Sequence, residues 1–186
     1  MALSINQLKG GLTILMDGEV YMLTEYQHVK PGKGAAFVRT KLKNLKTENL
    51  IEKTFKSDDK IEEAFVEERK AVFQYRAGDL FHFMEQEGFE EVAVSKDNLK
   101  EAIKFLKDNL EVSLFFFKNQ FLKINLPNFI DFEIKETEPG IKGDTAKSGT
   151  KPAKIETGAV VQVPLFVNIG DRIKLDIRTG QYVERI

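Results

Sequence analysis

The stretch AAFVRTKLKNL, residues 35 to 45, alternates without a break: Val38, Thr40 and Leu42 fall on one side, Arg39, Lys41 and Lys43 on the other. A period of two is the spacing of a β-strand with one face on a core and one in water, and no helix can satisfy it. The preceding EVYMLTEYQHV (19 to 29) is rich in β-formers, so the two segments read as a hairpin with KPGKG at its tip.

The same grammar continues along the chain. AVFQYRAGDLFHFM (71 to 84) reads as two aromatic strands around the turn residues Ala77, Gly78 and Asp79. SLFFFKNQFLKINL (113 to 126) reads as a further hairpin, and strands are expected at 129 to 136, 159 to 167, 172 to 178 and 181 to 186. One helix is expected, at 95 to 110, where Ser95 can cap and Leu99, Ala102, Ile103, Leu106 and Leu110 recur at helical spacing. The segment 139 to 158, rich in glycine, threonine and lysine, reads as a long exposed loop of the kind that tends to be functional.

The acidic run SDDKIEEAFVEER (57 to 69) interrupts the apolar pattern and suggests a boundary near residue 63; Pro127 opens the last block. The expected fold class is therefore mostly all-β, with three small β-barrel domains at 1 to 63, 64 to 126 and 127 to 186. Each block of that size buries only ~60% of its unfolded surface. Three in a row would form an elongated body suited to a long ligand.

With 186 residues, 42% hydrophobic and 31% charged, the composition is that of an ordinary globular protein. No apolar run approaches the ~20 residues of a membrane span, and MALSINQLKGG lacks the regions of a signal peptide, so a cytoplasmic protein with no membrane partner is expected. The absence of cysteine excludes disulfides and thiol nucleophiles. His28 and His82, the two histidines, have no metal-ligand spacing around them and read as exposed or internally satisfied side chains. There is no G-x-S-x-G, H-E-x-x-H or phosphate-binding glycine loop, and adjacent carboxylates such as Glu62 and Glu63 would point to opposite faces of a strand. No catalytic residue, metal site or cofactor is expected, and the chain does not read as an enzyme.

Binding is the better reading. The net charge of −1 hides an asymmetry: residues 1 to 57 carry +4 and the remainder −5. Arg39, Lys41 and Lys43 form a positive row that Lys30 and Lys33 extend to the hairpin tip, as phosphate contacts require; a solvated strand face is the competing reading. At the tip, Pro31 fixes its own φ and donates no hydrogen bond, while Gly32 and Gly34 can take positive φ. Lys33 stands between the two glycines, either as a soluble turn residue or as a side chain kept clear of neighbours.

Three longer stretches make the chain recognisable. HVKPGKGAAFVRTKLKNL (28 to 45), EPGIKGDTAKSGTKPAKIETGAVVQVPLFVNIGD (138 to 171) and RTGQYVERI (178 to 186) resemble the bacterial elongation factor P family, and the resemblance extends over essentially the full length. It implies an SH3-like KOW domain followed by two OB-like domains, arranged roughly like a transfer RNA. Members bind the ribosome beside peptidyl-tRNA and relieve stalling at consecutive prolines. The implied partners are a 70S-type ribosome, the acceptor and anticodon ends of peptidyl-tRNA and a lysine-modifying enzyme, for a factor expected to be monomeric.

By the same resemblance Lys33 is the residue modified after translation, with Lys30, Pro31, Gly32 and Gly34 its supporting loop. Arg39, Lys41 and Lys43 would lie on the ribosome and peptidyl-tRNA side, and Gly143, Asp144 and Thr145 match a loop associated with the exit-site codon. Family members carry β-lysine or 5-aminopentanol on a lysine, or rhamnose on an arginine, at the tip; a lysine at 33 argues against rhamnose. The remaining alternatives are a KOW/OB-type RNA-binding module acting outside the ribosome and the elongation factor P-like paralogue.

Overall fold

The computed structural model describes residues 2–32, 34–139 and 149–186. In chain order the strands are β1 (Ala2–Leu3), β2 (Thr13–Met16), β3 (Glu19–Val29), β4 (Phe37–Asn44), β5 (Leu50–Lys56), β6 (Ile61–Glu63), β7 (Glu67–Ala77) and β8 (Leu80–Glu85). They continue as β9 (Glu91–Ser95), β10 (Glu111–Phe117), β11 (Gln120–Asn125), β12 (Phe129–Thr137), β13 (Thr150–Ile155), β14 (Val160–Pro164), β15 (Arg172–Asp176) and β16 (Gln181–Arg185). Three sheets result, ordered β1-β6-β2-β3-β4-β5, β11-β10-β7-β8-β9 and β14-β13-β12-β15-β16. The chain divides into two compact units, 1–68 with 114–123, and 69–113 with 124–186.

In the first unit the alternation of β4 sets the core. Val38, Thr40 and Leu42 are buried as their spacing predicts, and Val38 and Leu42 join Leu3, Ile5, Leu8, Ile14, Leu23, Phe55 and Ile61 in one cluster. Thr40 is tolerated there because its hydroxyl donates to the Lys53 carbonyl at 2.8 Å. Buried Asn44 accepts from the backbone N–H groups of Lys46 and Thr47 (2.8 and 2.9 Å) and donates to Glu19 at 2.6 Å, which closes the turn between β4 and β5. A second cluster gathers Val20, Leu45 and Ala64 with Phe117 and Leu122, which explains why 114–123 belongs to this unit.

In the second unit Phe73, Phe81 and Phe83 pack with ring centroids 5.4 to 5.9 Å apart. A separate cluster, centred on Phe132, Ile134, Ile155, Val163, Ile173 and Leu175, fills the sheet β12–β16; Phe105 and Leu110 pack against it.

Two expectations are corrected. The helix expected over 95 to 110 is one α-turn, α1 (Lys96–Leu99), followed by a 3₁₀ segment at Lys100–Phe105. Ser95 ends β9 and makes no side-chain cap, and Lys100 interrupts the helix with φ +51°. An isolated helix of such length is marginal, so tertiary packing decides. Here Leu99 and Leu106 are buried while Phe105 and Leu110 pack on the Phe132 cluster, a distribution that a single straight helical stripe does not provide.

The segment 139 to 158 is likewise not all loop, since β13 occupies 150–155 with Lys151, Ala153 and Ile155 inward. Pro152 sits within this strand. It pairs with Gln162 of β14 but lies beyond the Ile134–Thr137 register shared with β12, so its missing N–H breaks no bond on that side. The strand expected at 159 to 167 is shorter, ending at Pro164, and β1, β2, β5, β6 and β9 are further strands that the pattern did not single out.

Candidate functional site

The expected first hairpin is present: β3 pairs antiparallel with β4 from Tyr21↔Asn44 to Val29↔Phe37. A bulge between Leu23 and Glu25 divides β3 into two halves. Up to Leu23 the strand contributes to the core; from Thr24 to His28 every residue is exposed. A β-bulge inserts an extra residue and bends its strand, so the change of environment at this point has a local cause. The hairpin ends in residues 30–36, of which Lys30, Pro31, Gly32 and Gly34 are exposed.

Gly34 has φ +113°, a conformation that side-chain-bearing residues avoid, and a Cβ there would meet only Pro31 Cγ at 3.8 Å. Its glycine is therefore required by backbone conformation rather than by lack of space. Lys33 lies outside the described residues, as do Gly143, Asp144 and Thr145. The flanks of the latter segment are described: the ammonium of buried Lys151 donates to the Glu138 carbonyl at 2.6 Å and ties the end of the approach from β12 to the start of β13.

Arg39, Lys41 and Lys43 share the outward face of β4, so the row predicted from spacing forms as a row. Its charge is not free along its length. Lys41 meets Glu25 at 2.8 Å and lies opposite Glu52 on β5, and Lys43 meets Glu48 at 3.5 Å. The hydrogen bond to Glu25, with that carboxylate's charge, holds the Lys41 ammonium above the ordinary lysine range. Arg39 lies opposite Gln27 and Thr54, with its guanidinium 5.7 Å from the Phe37 ring centroid and no ion pair among the described residues. A shallow groove of about 530 Å³ runs over this face, lined by Glu25, Gln27, Arg39, Lys41, Glu52 and Thr54 among others. Such a surface presents Arg39 and Lys53, neither in an ion pair among the described residues, while Lys41 is engaged by a carboxylate.

The carboxylates of this face could not be found by reading β4 alone, because cross-strand neighbours depend on register. Glu25 in particular would fall on the side of buried Leu23 by alternation, and only the bulge between them turns it outward. Lys123 was also missed. Burial pushes its ammonium below the ordinary range, with a smaller push from the charge of Lys43, and it lies 5.0 Å from the Phe115 ring centroid.

Of the two histidines, His28 is exposed and meets Tyr26 edge-on at 5.7 Å. His82 is more elaborately held: Nδ1 lies 2.5 Å from Glu91 Oε1, the ring stacks on Tyr75, and Nε2 is buried without a hydrogen-bond partner among the described residues. A partly buried histidine with one ring nitrogen satisfied was not foreseen.

A six-stranded antiparallel first sheet with a long hairpin, followed by two five-stranded sheets, defines a class of protein built from small β-domains in series. The archaeal protein "Eukaryotic translation initiation factor 5A from Methanococcus jannaschii" shares the fold at a TM-score of 0.56 and 23% identity, over 68% of this chain and 92% of its own. Family models match three consecutive stretches: the elongation factor P KOW-like domain at residues 4–61, the elongation factor P OB domain at 66–124 and the elongation factor P C-terminal domain at 130–185.

Curated relatives named elongation factor P span nearly the entire chain. The protein of Natranaerobius thermophilus is 51% identical, over 97% of this chain and 96% of its own. That of Moorella thermoacetica is 50% identical over 98% and 99%, and that of a Thermoanaerobacter species 48% over 99% and 100%. The chain belongs to the elongation factor P family: it is a translation factor of mostly β structure with KOW and OB domains, and its partner is the translation machinery.

Proposed function

We propose that this factor binds the ribosome beside peptidyl-tRNA and promotes peptide bond formation at consecutive prolines, relieving stalling. The observation that carries the reading is the β3–β4 hairpin: past its bulge β3 turns to solvent while β4 keeps Val38 and Thr40 in the core, and the hairpin ends in an exposed Lys30-Pro31-Gly32 segment and a Gly34 whose φ strains any other residue, with Lys33 between. An exposed loop whose described residues flank one lysine suits a side chain that a modifying enzyme must reach and the peptidyl transferase centre must then accept.

Proline's restricted φ makes it an awkward partner in peptide transfer. The ribosome supplies the reaction centre, so the factor adds no acid or base of its own; it holds the acceptor end of peptidyl-tRNA in a productive geometry. Positioning of this kind is worth several kcal/mol in favourable cases, and ~1.4 kcal/mol is already tenfold in rate. A covalently modified Lys33 adds reach and hydrogen-bonding groups there, while Arg39, with Lys41 and Lys43 beside it, faces the nucleic acid backbone.

In this reading the chain is a monomer of three domains, 1 to 63, 64 to 126 and 127 to 186. Gly143, Asp144 and Thr145 of the last domain approach the exit-site codon near the anticodon end. The deciding experiment is translation of a Pro-Pro-Pro reporter with natively modified protein and with Lys33→Ala. Rescue is expected to be lost in the variant; undiminished rescue would sink the reading.

A further inference from the structure

The outward face of β7–β8–β9 carries a feature that the tip and its charged row do not use. Phe73 pairs with Phe83, but a bulge at Gln74 shifts the register so that Tyr75, rather than Gln74, lies opposite His82. Bulges re-aim side chains, and here the consequence is a parallel aromatic pair: the Tyr75 and His82 rings are 4.5 Å apart and inclined by only 10°. Tyr75 remains 49% exposed, which leaves one ring face open to solvent with the imidazole covering the other.

The imidazole beneath is fixed. Glu91 accepts at 2.5 Å from Nδ1, and because a carboxylate only accepts, Nδ1 carries the proton. Nε2 is buried without a partner among the described residues, an arrangement that costs stability and calls for an explanation. Hydrogen bonding therefore orients the ring from one side only, and its plane is left for stacking. Around the pair lie Leu80, 44% exposed, and Ala93, exposed opposite His82 on β9; Arg76 is turned to the other face, over the Phe81 ring.

We propose that Tyr75, backed by His82, is a stacking platform for one unpaired RNA base. The ligand class follows from the shape and placement of the surface. It is a flat aromatic plane flanked by the apolar side chains of Leu80 and Ala93, on the second of the barrel segments, matched as an OB domain. Strands 2 and 3 of an OB fold, β8 and β9 here, present the face on which such domains take oligonucleotides. Base–aromatic stacking tolerates any sequence, since every base has a π-face, so the platform selects for an unpaired base rather than for its identity. Glu91, the one carboxylate bonded to the pair, keeps phosphates at a distance and leaves the base as the group that docks.

The test does not depend on proline stalling. A single-stranded RNA hexamer is titrated to millimolar concentration into the intact protein while the Tyr75 and His82 ring resonances are followed by NMR, with inorganic phosphate as a separate titrant. Saturable upfield shifts of both rings with RNA and not with phosphate are expected. Tyr75→Phe, which keeps the plane and loses the hydroxyl, is expected to bind as the parent does. Tyr75→Leu and Tyr75→Ala are expected to bind about tenfold more weakly, a difference of ~1.4 kcal/mol. Because Tyr75 is an exposed side chain, unchanged thermal melting serves as the control for folding. The proposal is overturned by shifts that phosphate reproduces, by the absence of any shift, or by a Leu variant that binds like the parent, since a generic apolar surface would then suffice.

Discussion

The β3–β4 and β7–β8 hairpins are built alike up to their ends. Each begins with an 11-residue strand whose first part is anchored in a core and whose second part, beyond one bulge, is exposed: Glu19–Val29 with the bulge after Leu23, and Glu67–Ala77 with the bulge after Phe73. They differ in how they close. Ala77 pairs with Leu80, leaving a two-residue Gly78-Asp79 turn in which Gly78 alone has positive φ, as a type II′ turn requires. Val29 pairs with Phe37, leaving seven residues between them. A tight turn satisfies the twist of its strands and ends there; the longer loop extends the chain past the ladder. The comparison separates what a hairpin needs in order to fold from what it needs in order to reach something.

If the anchored halves are equivalent, removing the core of either should cost the same order of stability. Leu42→Ala and Phe83→Ala, both at fully buried side chains, are expected to lose about 2–5 and 3–5 kcal/mol respectively in chemical denaturation. A loss under ~1 kcal/mol in one of them would show that its hairpin is held from elsewhere.

The ends should behave differently. Replacing residues 30–36 by Gly-Asp is expected to leave the fold intact, since shortening a loop changes closure entropy by only about a kcal/mol or so. Rescue of a Pro-Pro-Pro reporter should nevertheless fall at least about tenfold, or ~1.4 kcal/mol in activation free energy. A folded short-loop variant with full rescue would break the distinction between the hairpins.

Smaller effects belong to the two glycines. Gly78→Val, at φ +61°, is expected to destabilise by about 1–2 kcal/mol and to lower the melting temperature, whereas Gly78→Asn is tolerated to within a few tenths. Gly34→Ala, at φ +113°, carries strain of about 1–3 kcal/mol in an exposed loop that contributes little to global stability. It should therefore reduce reporter rescue several-fold while melting is unchanged.

The smallest effect is electrostatic. The Glu25 hydrogen bond raises the folded-state value of Lys41 above the unfolded one, so the pair's contribution is fully present below the ordinary lysine range and is lost as pH rises through the raised value. Lys41→Met should flatten the alkaline limb of the stability–pH curve and leave neutral pH nearly unchanged, as an exposed pair requires. An alkaline limb identical to that of the parent would remove Lys41 from the account.

Much of the hairpin architecture was legible because β-structure writes its faces with a period of two. Val38, Thr40 and Leu42 could be placed inward, and Arg39, Lys41 and Lys43 outward, before any partner strand was known. The turn at Gly78-Asp79 was legible for a similar reason, since φ preference belongs to single residues. The segment at 95 to 110 misled because its apolar spacing fits a helix, while Leu99 and Leu106 are buried and Phe105 and Leu110 pack on the Phe132 cluster. Likewise, the segment 139 to 158 reads as loop from its composition, while Lys151, Ala153 and Ile155 of β13 turn inward against the neighbouring strands.

The sequence by itself determined the class of fold, the strand faces, the glycine-flanked lysine at residue 33 and membership of the translation-factor family, because each rests on local pattern or on long matching stretches. Only the tertiary structure decided that Lys41 and Lys43 meet Glu25 and Glu48, and that Tyr75 lies flat on His82. Those outcomes hang on register and on single-residue bulges, and a shift of one residue exchanges every cross-strand neighbour while the local pattern stays the same.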